Sequence, residues 1–436
     1  MIPKTKVRST DPRITAADLP MSPMQWAVVA ITVGLSALDG FDVLVVTLVA
    51  PKLVAEWHID HAALGMVLSA GLFGMPAGSL FLAPLADVFG RRRIIFSTLS
   101  LMGIGMILSC TAHGTWSLAL YRLITGVGIG GMIPVINPIA AEFANAKRQD
   151  LAVSLMAVGY PIGGVVGASV AVYVMLYFRW PFLFFLGAAL SLVMGLIVWR
   201  WLPESISFLI ERPTSSSLAR ANILLERCRQ PLVSALPPPA ATTGASWTLL
   251  FGPGVWSTTI RITAVGFLYI AAVYYVLSWI PQLVADQGFS AIQAATVAFG
   301  ANLAGIVAGL AFGWVTTSIP GRLLTVAMFA CFAAMTIAFS HSPADLEILR
   351  ILGAALGFFL IGGMCALHSM IARGFPAHIR ATGAGLVLGV GRVGAALSPL
   401  TAGLLFSAGF GRGGISFVVA GGTVAAALLL ASLRNL

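Results

Sequence analysis

Apolar residues run along this chain in long blocks, each broken by a short polar connection. Twelve blocks reach the length of a bilayer-crossing helix, about 20 residues at a rise of about 1.5 Å each. They cover approximately 24–50, 62–86, 94–112, 117–142, 151–176, 182–202, 257–285, 291–316, 323–340, 346–373, 381–407 and 414–433. Several have Gly-rich interiors, and none shows the alternation of a β-barrel strand. The pattern predicts an all-α membrane protein of twelve spanning helices. The longest connection follows the sixth block, so the chain divides into an N-terminal six-helix bundle (1–202), a linker (203–256) and a C-terminal six-helix bundle (257–436). Within the linker, "TSSSLARANILLERCRQ" reads as a short amphipathic helix and "SALPPPAATTGAS" as a flexible tether.

Composition makes the membrane assignment firmer. Of 436 residues, 58% are hydrophobic and 9% charged, with a mean hydropathy of +0.96. A soluble domain carries about 25% charged residues. The net charge of +10 would suit a nucleic-acid partner, but its placement excludes that reading. Lys4, Lys6, Arg8, Arg13, Arg91, Arg92, Arg93, Lys147 and Arg148 fall in alternate connections, on one side of the membrane. Arg212, Arg220, Arg227, Arg229, Arg322, Arg373, Arg380 and Arg434 continue that side, while the other holds little beyond Lys52, Arg179 and Arg412. By the positive-inside rule both termini are cytoplasmic, in a plasma membrane of the bacterial inner-membrane type. Cys110, Cys228, Cys331 and Cys365 lack metal-ligand spacing and read as free thiols. No signal peptide is evident. No nucleophile–base constellation or HExxH motif appears, so neither an enzyme, a metal nor a cofactor is expected.

The turn "APLADVFGRRR" between blocks two and three has a weaker counterpart, "GWVTTSIPGRLL", between blocks eight and nine. Such internal symmetry is typical of transporter repeats. The first turn resembles the G-x-L-A-D-R-x-G-R-R-R signature of the major facilitator superfamily, with Asp87, Gly90, Arg91, Arg92 and Arg93 in place. It departs at Ala83 and Val88, and the second copy has Thr317 and Ser318 where an acid would stand. "PESISFL" after block six fits the same superfamily. Within it, "LDGFD", "YRLITGVGIGGMIPVINPIAAEF" and "RATGAGLVLGVGRVGAALSP" resemble the aromatic acid:proton symporter family. The resemblance implies two pseudo-symmetric six-helix bundles around a central cavity lined largely by spans one, four, seven and ten. It also implies import of small aromatic carboxylates, such as hydroxybenzoates, together with protons.

The ionisable residues inside the spans supply the chemistry. Asp39 and Asp42, at i and i+3, share a face of span one near mid-membrane, where each charge costs roughly 2.5–3.5 kcal/mol. In the resembled fold Arg122 of span four lies at comparable depth, so an Arg122–Asp42 or Arg122–Asp39 pair is expected, either as a helix tie or as part of a proton site. One arginine cannot match two carboxylates, which leaves one of them, Asp39 by preference as the deeper, to take up and release a proton. Arg392 also stands near mid-membrane, with no acid of the C-terminal half at its depth. Its partner is a substrate carboxylate held bidentately, a helix carbonyl or a group across the bundle interface.

Tyr275 and Trp279, at i and i+4, form either an aromatic wall for the substrate ring or ordinary packing. Glu142 is expected to bridge to Arg93 or Lys147 as a gate, and Asp87 to Arg91 as a conformational latch. Gly159, Gly163 and Gly167 read as a packing stripe, Glu347–Arg350 as an ordinary helix pair, and His368 as packed or solvated rather than a proton relay. The sequence thus reads as a proton-coupled importer of small aromatic carboxylates, working as a monomer. The alternatives are an exporter of amphipathic compounds, an importer of a nicotinate-like or other organic acid, and a non-transporting sensor.

Overall fold

The computed structural model describes residues 19–145, 147–211, 215–237, 250–252, 255–315, 321–375 and 379–433. Among these residues twelve helices are long and apolar enough to cross a membrane. They are α1 (Pro23–Trp57), α2 (His61–Phe89), α3 (Arg91–Cys110), α4 (Thr115–Phe143), α5 (Gln149–Tyr177) and α6 (Pro181–Trp201). The second half contributes α7 (Trp256–Ala285), α8 (Ala291–Val315), α9 (Gly321–His341), α10 (Leu346–Gly374), α11 (Arg380–Ser407) and α12 (Arg412–Ala431). No strand occurs among the described residues. Residues Lys4, Lys6, Arg8, Arg13, Arg212, Thr317, Ser318 and Arg434 lie outside the described residues, as does most of the Pro/Ala/Thr stretch.

The helix boundaries follow local chemistry. Ser22 and Gln25 close a capping box on α1, with Gln25 N donating to Ser22 Oγ (3.3 Å) and Ser22 N to Gln25 Oε1 (2.9 Å). The sequence predicts an end to this span at Ala50, before Pro51, yet α1 continues to Trp57 and stops at His58 in the left-handed region (φ 50°). Neighbouring helices re-satisfy the backbone that a proline disturbs, so proline inside a packed span need not end it. In α2, Pro76 is followed by a π-helical turn at Gly78–Leu82, a local widening often found at functional positions.

Packing repeats every six helices. In the first half α1 packs on α4, α5 and α6, α2 on α4, and α3 on α4 and α6. In the second, α7 packs on α10, α11 and α12, α8 on α10, and α9 on α10 and α12. The same contacts recur with every index raised by six, which is the signature of two pseudo-symmetric six-helix bundles. The bundles meet where α2 packs on α11 and α5 on α8, two contacts related by the same operation, and where α1 packs on α7. The glycine stripe of α5 sits on α1: a Cβ at Gly159 would lie 2.5 Å from the Val33 carbonyl oxygen, and one at Gly163 would collide with the Ala37 carbonyl. Helix packing therefore accounts for the stripe.

After α6 come two short helices, Ile206–Glu211 and Ser217–Arg227. The second is the amphipathic helix expected from the sequence, with Ala221, Leu224 and Leu225 buried and Arg220 and Arg227 exposed.

Candidate functional site

Both carboxylates of α1 are fully buried at mid-helix, and none of their oxygens accepts a hydrogen bond. Three residues apart, they meet different neighbours. Asp42 lies inside the N-terminal bundle against α6, its Oδ1 3.2 Å from where a Cβ on Gly187 would sit. Arg122 of α4 reaches the same level, as its depth in the sequence implied. Its Nη2 donates to the Asp42 main-chain carbonyl (2.6 Å), its Nη1 reaches Met106 Sδ (3.5 Å), and its guanidinium lies 5.9 Å over the Phe184 ring. The expected carboxylate pair is thus replaced by a bond to the backbone of the same residue. A helix carbonyl keeps a second lone pair for such a donor, and the nearby Asp42 charge still offsets the guanidinium through the low-dielectric interior.

Asp39 instead belongs to the interface between bundles. Besides Asp42, the ionisable groups near it are Arg392 of α11 and the hydroxyl of Tyr160 on α5. Arg392, near the middle of α11, donates from Nη1 to Ser79 Oγ in the π-helical turn of α2. Ser79 in turn donates to the Gly130 carbonyl of α4 (2.6 Å). Of the three partners open to Arg392 in the sequence, this conformation selects a contact across the bundle interface, and the partner is a neutral hydroxyl. None of the ion pairs among the described residues involves Arg392.

Beside Arg392 lies a cavity of about 50 Å³ between the bundles, walled by Tyr160, Tyr274, Met75, Ile129 and Ile133. The Tyr160 hydroxyl faces that of Tyr274 there, beyond close hydrogen-bond distance. The cavity is smaller than the roughly 150 Å³ that admits benzene, so an aromatic ring enters only if the bundles separate.

Tyr275 and Trp279 do not reach this cavity. Tyr275 is buried toward α12, its hydroxyl 3.5 Å from Ser416 Oγ. Trp279 is fully buried nearer the end of α7, between His61 and Phe406 (ring centroids 5.9 and 4.9 Å). The residue of α7 at the cavity is Tyr274, one position and about 100° around the helix from Tyr275. Sequence reasoning missed Tyr160 and Ser79 and favoured Tyr275 and Trp279 over Tyr274 among the aromatics of span seven; the phenols and the hydroxyl inside apolar spans were the available signal.

Two groups of contacts occupy the ends. At the face bearing the Arg91–Arg93 turn, Arg91 pairs with Glu142, which also accepts from Ser205 Oγ (2.5 Å). Neither Arg93 nor Lys147 is its partner, and Asp87 is exposed with no ion pair among the described residues, since Arg91 is turned toward Glu142. Glu204 of "PESISFL" accepts from the Arg91 and Arg92 main-chain N–H groups (2.9 and 3.3 Å), capping α3. Gly90 has φ 102°, a conformation that favours glycine, and a Cβ there would lie 2.5 Å from Glu204 Oε2. At the opposite face the bundles touch directly: His61 Nε2 lies 3.2 Å from Asp286 Oδ2, and Ala62 N donates to Ser407 Oγ (3.0 Å). Glu347 and Arg350 form the helix pair expected of them (2.6 Å). His368 Nδ1 lies 2.8 Å from the Met364 carbonyl of its own helix.

Two bundles related by a six-helix repeat, with ionisable residues gathered at mid-membrane where they meet, define a polytopic transporter fold. The sequence model of the Major Facilitator Superfamily matches residues 32–399, and the chain belongs to that family. Its curated relatives include the "Gallate transporter" of Pseudomonas putida, 28% identical over 90% of this chain and 88% of the relative. The "4-hydroxybenzoate transporter PcaK" of Pseudomonas aeruginosa is 29% identical over 87% of this chain and 85% of the relative. Among solved structures, the partially occluded inward-open xylose transporter XylE from E. coli superposes with a TM-score of 0.74. It is 15% identical, with 95% of this chain and 98% of that chain covered.

Proposed function

We propose that this protein is a proton-coupled importer of small aromatic carboxylates such as hydroxybenzoates, in a plasma membrane with both termini cytoplasmic. The observation that carries this reading is Arg392. It is a guanidinium at mid-membrane, on the bundle interface, bonded among the described residues to a neutral hydroxyl and facing a cavity with two phenols. A half-buried cation held by a neutral hydroxyl is suited to exchange that partner for a carboxylate, which it can grip bidentately. Tyr274 and Tyr160 then face the ring and its hydroxyl groups. The names of the curated relatives, which include gallate, 4-hydroxybenzoate and benzoate transporters, support the substrate class.

Charge balance at the interface supplies the coupling. The field of Arg392 is offset by one carboxylate. Without substrate that carboxylate is Asp39; with substrate bound, two negative charges would crowd one positive, and Asp39 takes a proton. Substrate anion and proton then cross together when residues 1–202 rock against residues 257–436, with 203–256 as the tether. The proton also cancels the roughly 2.3 kcal/mol per 100 mV by which an inside-negative potential opposes entry of an anion. Asp42 and Arg122 stay within one bundle as a fixed pair of charges.

The test is uptake of labelled 4-hydroxybenzoate and protocatechuate into proteoliposomes, with and without an inward proton gradient, for wild type and Asp39→Asn. Gradient-driven accumulation in wild type, lost in the variant, is the expected result. Absence of accumulation of any aromatic acid under either condition would overturn the importer reading. Proton-driven extrusion of amphipathic compounds would replace it with an exporter.

A further inference from the structure

A second cavity, far larger than the first, lies outside the bundle interface. It occupies about 850 Å³ between the start of α3, the end of α6 and the amphipathic helix Ser217–Arg227. Four arginines line it: Arg92 and Arg93 from α3, and Arg220 and Arg227 from the amphipathic helix. Against them stands one carboxylate, Glu204, already occupied by the main-chain N–H groups that it caps. None of the ion pairs among the described residues involves any of the four. Arg92 donates through Nη2 to the Trp199 carbonyl, while its Nε is buried without a hydrogen-bond partner. The site therefore holds a surplus of positive charge and an unfilled donor pointing to an anion.

The rest of the lining is apolar. Phe96, Trp199, Phe208 and Ile223 form walls beside the charges. Trp199 and Trp201 are 66% and 53% exposed at the end of α6, where tryptophans mark the headgroup level of a bilayer. The cavity thus sits at headgroup depth, with cationic and apolar side chains side by side in its wall. A soluble anion would satisfy the arginines and leave the walls unused. An amphiphile satisfies both.

We propose that this cavity binds an anionic phospholipid. Its phosphate is held by Arg92, Arg93, Arg220 and Arg227, and its acyl chains run down the α3–α6 flank past Phe96 and Trp199. Such a lipid pins the amphipathic helix to the membrane and to the α2–α3 turn, which carries the Arg91–Glu142 contact.

Titration of dioleoylphosphatidylglycerol into detergent-purified protein, followed by native mass spectrometry, tests the site. The same titration with dioleoylphosphatidylcholine and with soluble glycerol 3-phosphate distinguishes an acidic lipid from a zwitterionic one and from a free phosphate. We expect phosphatidylglycerol to bind at least tenfold more tightly than phosphatidylcholine. Arg220→Gln/Arg227→Gln, which alters only exposed side chains, should weaken it roughly thirtyfold. Arg220→Lys/Arg227→Lys, keeping the charge, should bind within about threefold of wild type. A thermal melt of each variant checks folding, and the lipid comparison on wild type stands without either variant. Equal binding of the two lipids, undiminished phosphatidylglycerol binding by the Gln variant, or displacement by millimolar glycerol 3-phosphate would each overturn the proposal.

Discussion

Two arginines inside the spans, Arg122 buried and Arg392 half-buried, each near a buried aspartate of α1, hold opposite positions in this molecule. Arg122 and Asp42 lie within one bundle, where α1, α4 and α6 enclose them, and Arg122 is tied to the Asp42 main chain. Arg392 and Asp39 lie between bundles, and Arg392 crosses the interface to Ser79. Motion that separates the bundles leaves the first arrangement intact and takes the second apart. Similar chemistry can therefore serve as scaffold in one place and as moving part in the other, depending on which helices share it. The contact residues at Arg392 are neutral, so it is free to change partner, whereas Arg122 has two bonds and a ring to keep it in place.

The largest expected effect tests the moving part. Arg392→Gln should lower initial uptake of 4-hydroxybenzoate in proteoliposomes by about a hundredfold or more, because a carboxylate would then enter a buried site with no cation. Uptake within a few-fold of wild type would place the substrate elsewhere. Next comes the exchange of roles between the aspartates. Asp39→Asn should abolish gradient-driven accumulation and its pH dependence, yet leave substrate counterflow. Asp42→Asn should keep the coupling and lower stability by about 3 kcal/mol, read as a fall in melting temperature, because Arg122 loses its charge partner. The reverse pattern would invert the comparison.

Smaller effects sharpen it. Tyr274→Phe should raise KM about three- to tenfold, the worth of one neutral hydrogen bond, while Tyr275→Phe should stay within about twofold. Equal effects would mean that both phenols reach the substrate. Asp286→Asn removes the half-exposed contact to His61 at the opposite face. It should change uptake by less than about threefold, since exposed ion pairs contribute under about 1 kcal/mol.

Much of this was legible in the chain. Twelve apolar blocks located twelve helices to within a turn or two, because length and hydropathy are what the bilayer requires of a span. The end of α1 was misjudged because the apolar block stops at Ala50, whereas the helix continues through Pro51 and its more polar last turns to Trp57. The mid-membrane level of Asp39, Asp42, Arg122 and Arg392 was also readable, since each residue advances a helix by a constant rise.

Depth, then, together with the span count and the scarcity of tolerated charge, was determined by the sequence alone. Rotation about each helix axis was decided only by tertiary structure. A span apolar on nearly every side has no amphipathic face to announce which way it turns. Thus Tyr274 rather than Tyr275 meets the cavity, Arg122 finds the Asp42 backbone rather than its carboxylate, and Arg91 rather than Arg93 reaches Glu142. Each of these choices is set by which neighbouring helix fills the space, and that follows from close packing across the whole bundle rather than from any local run of residues.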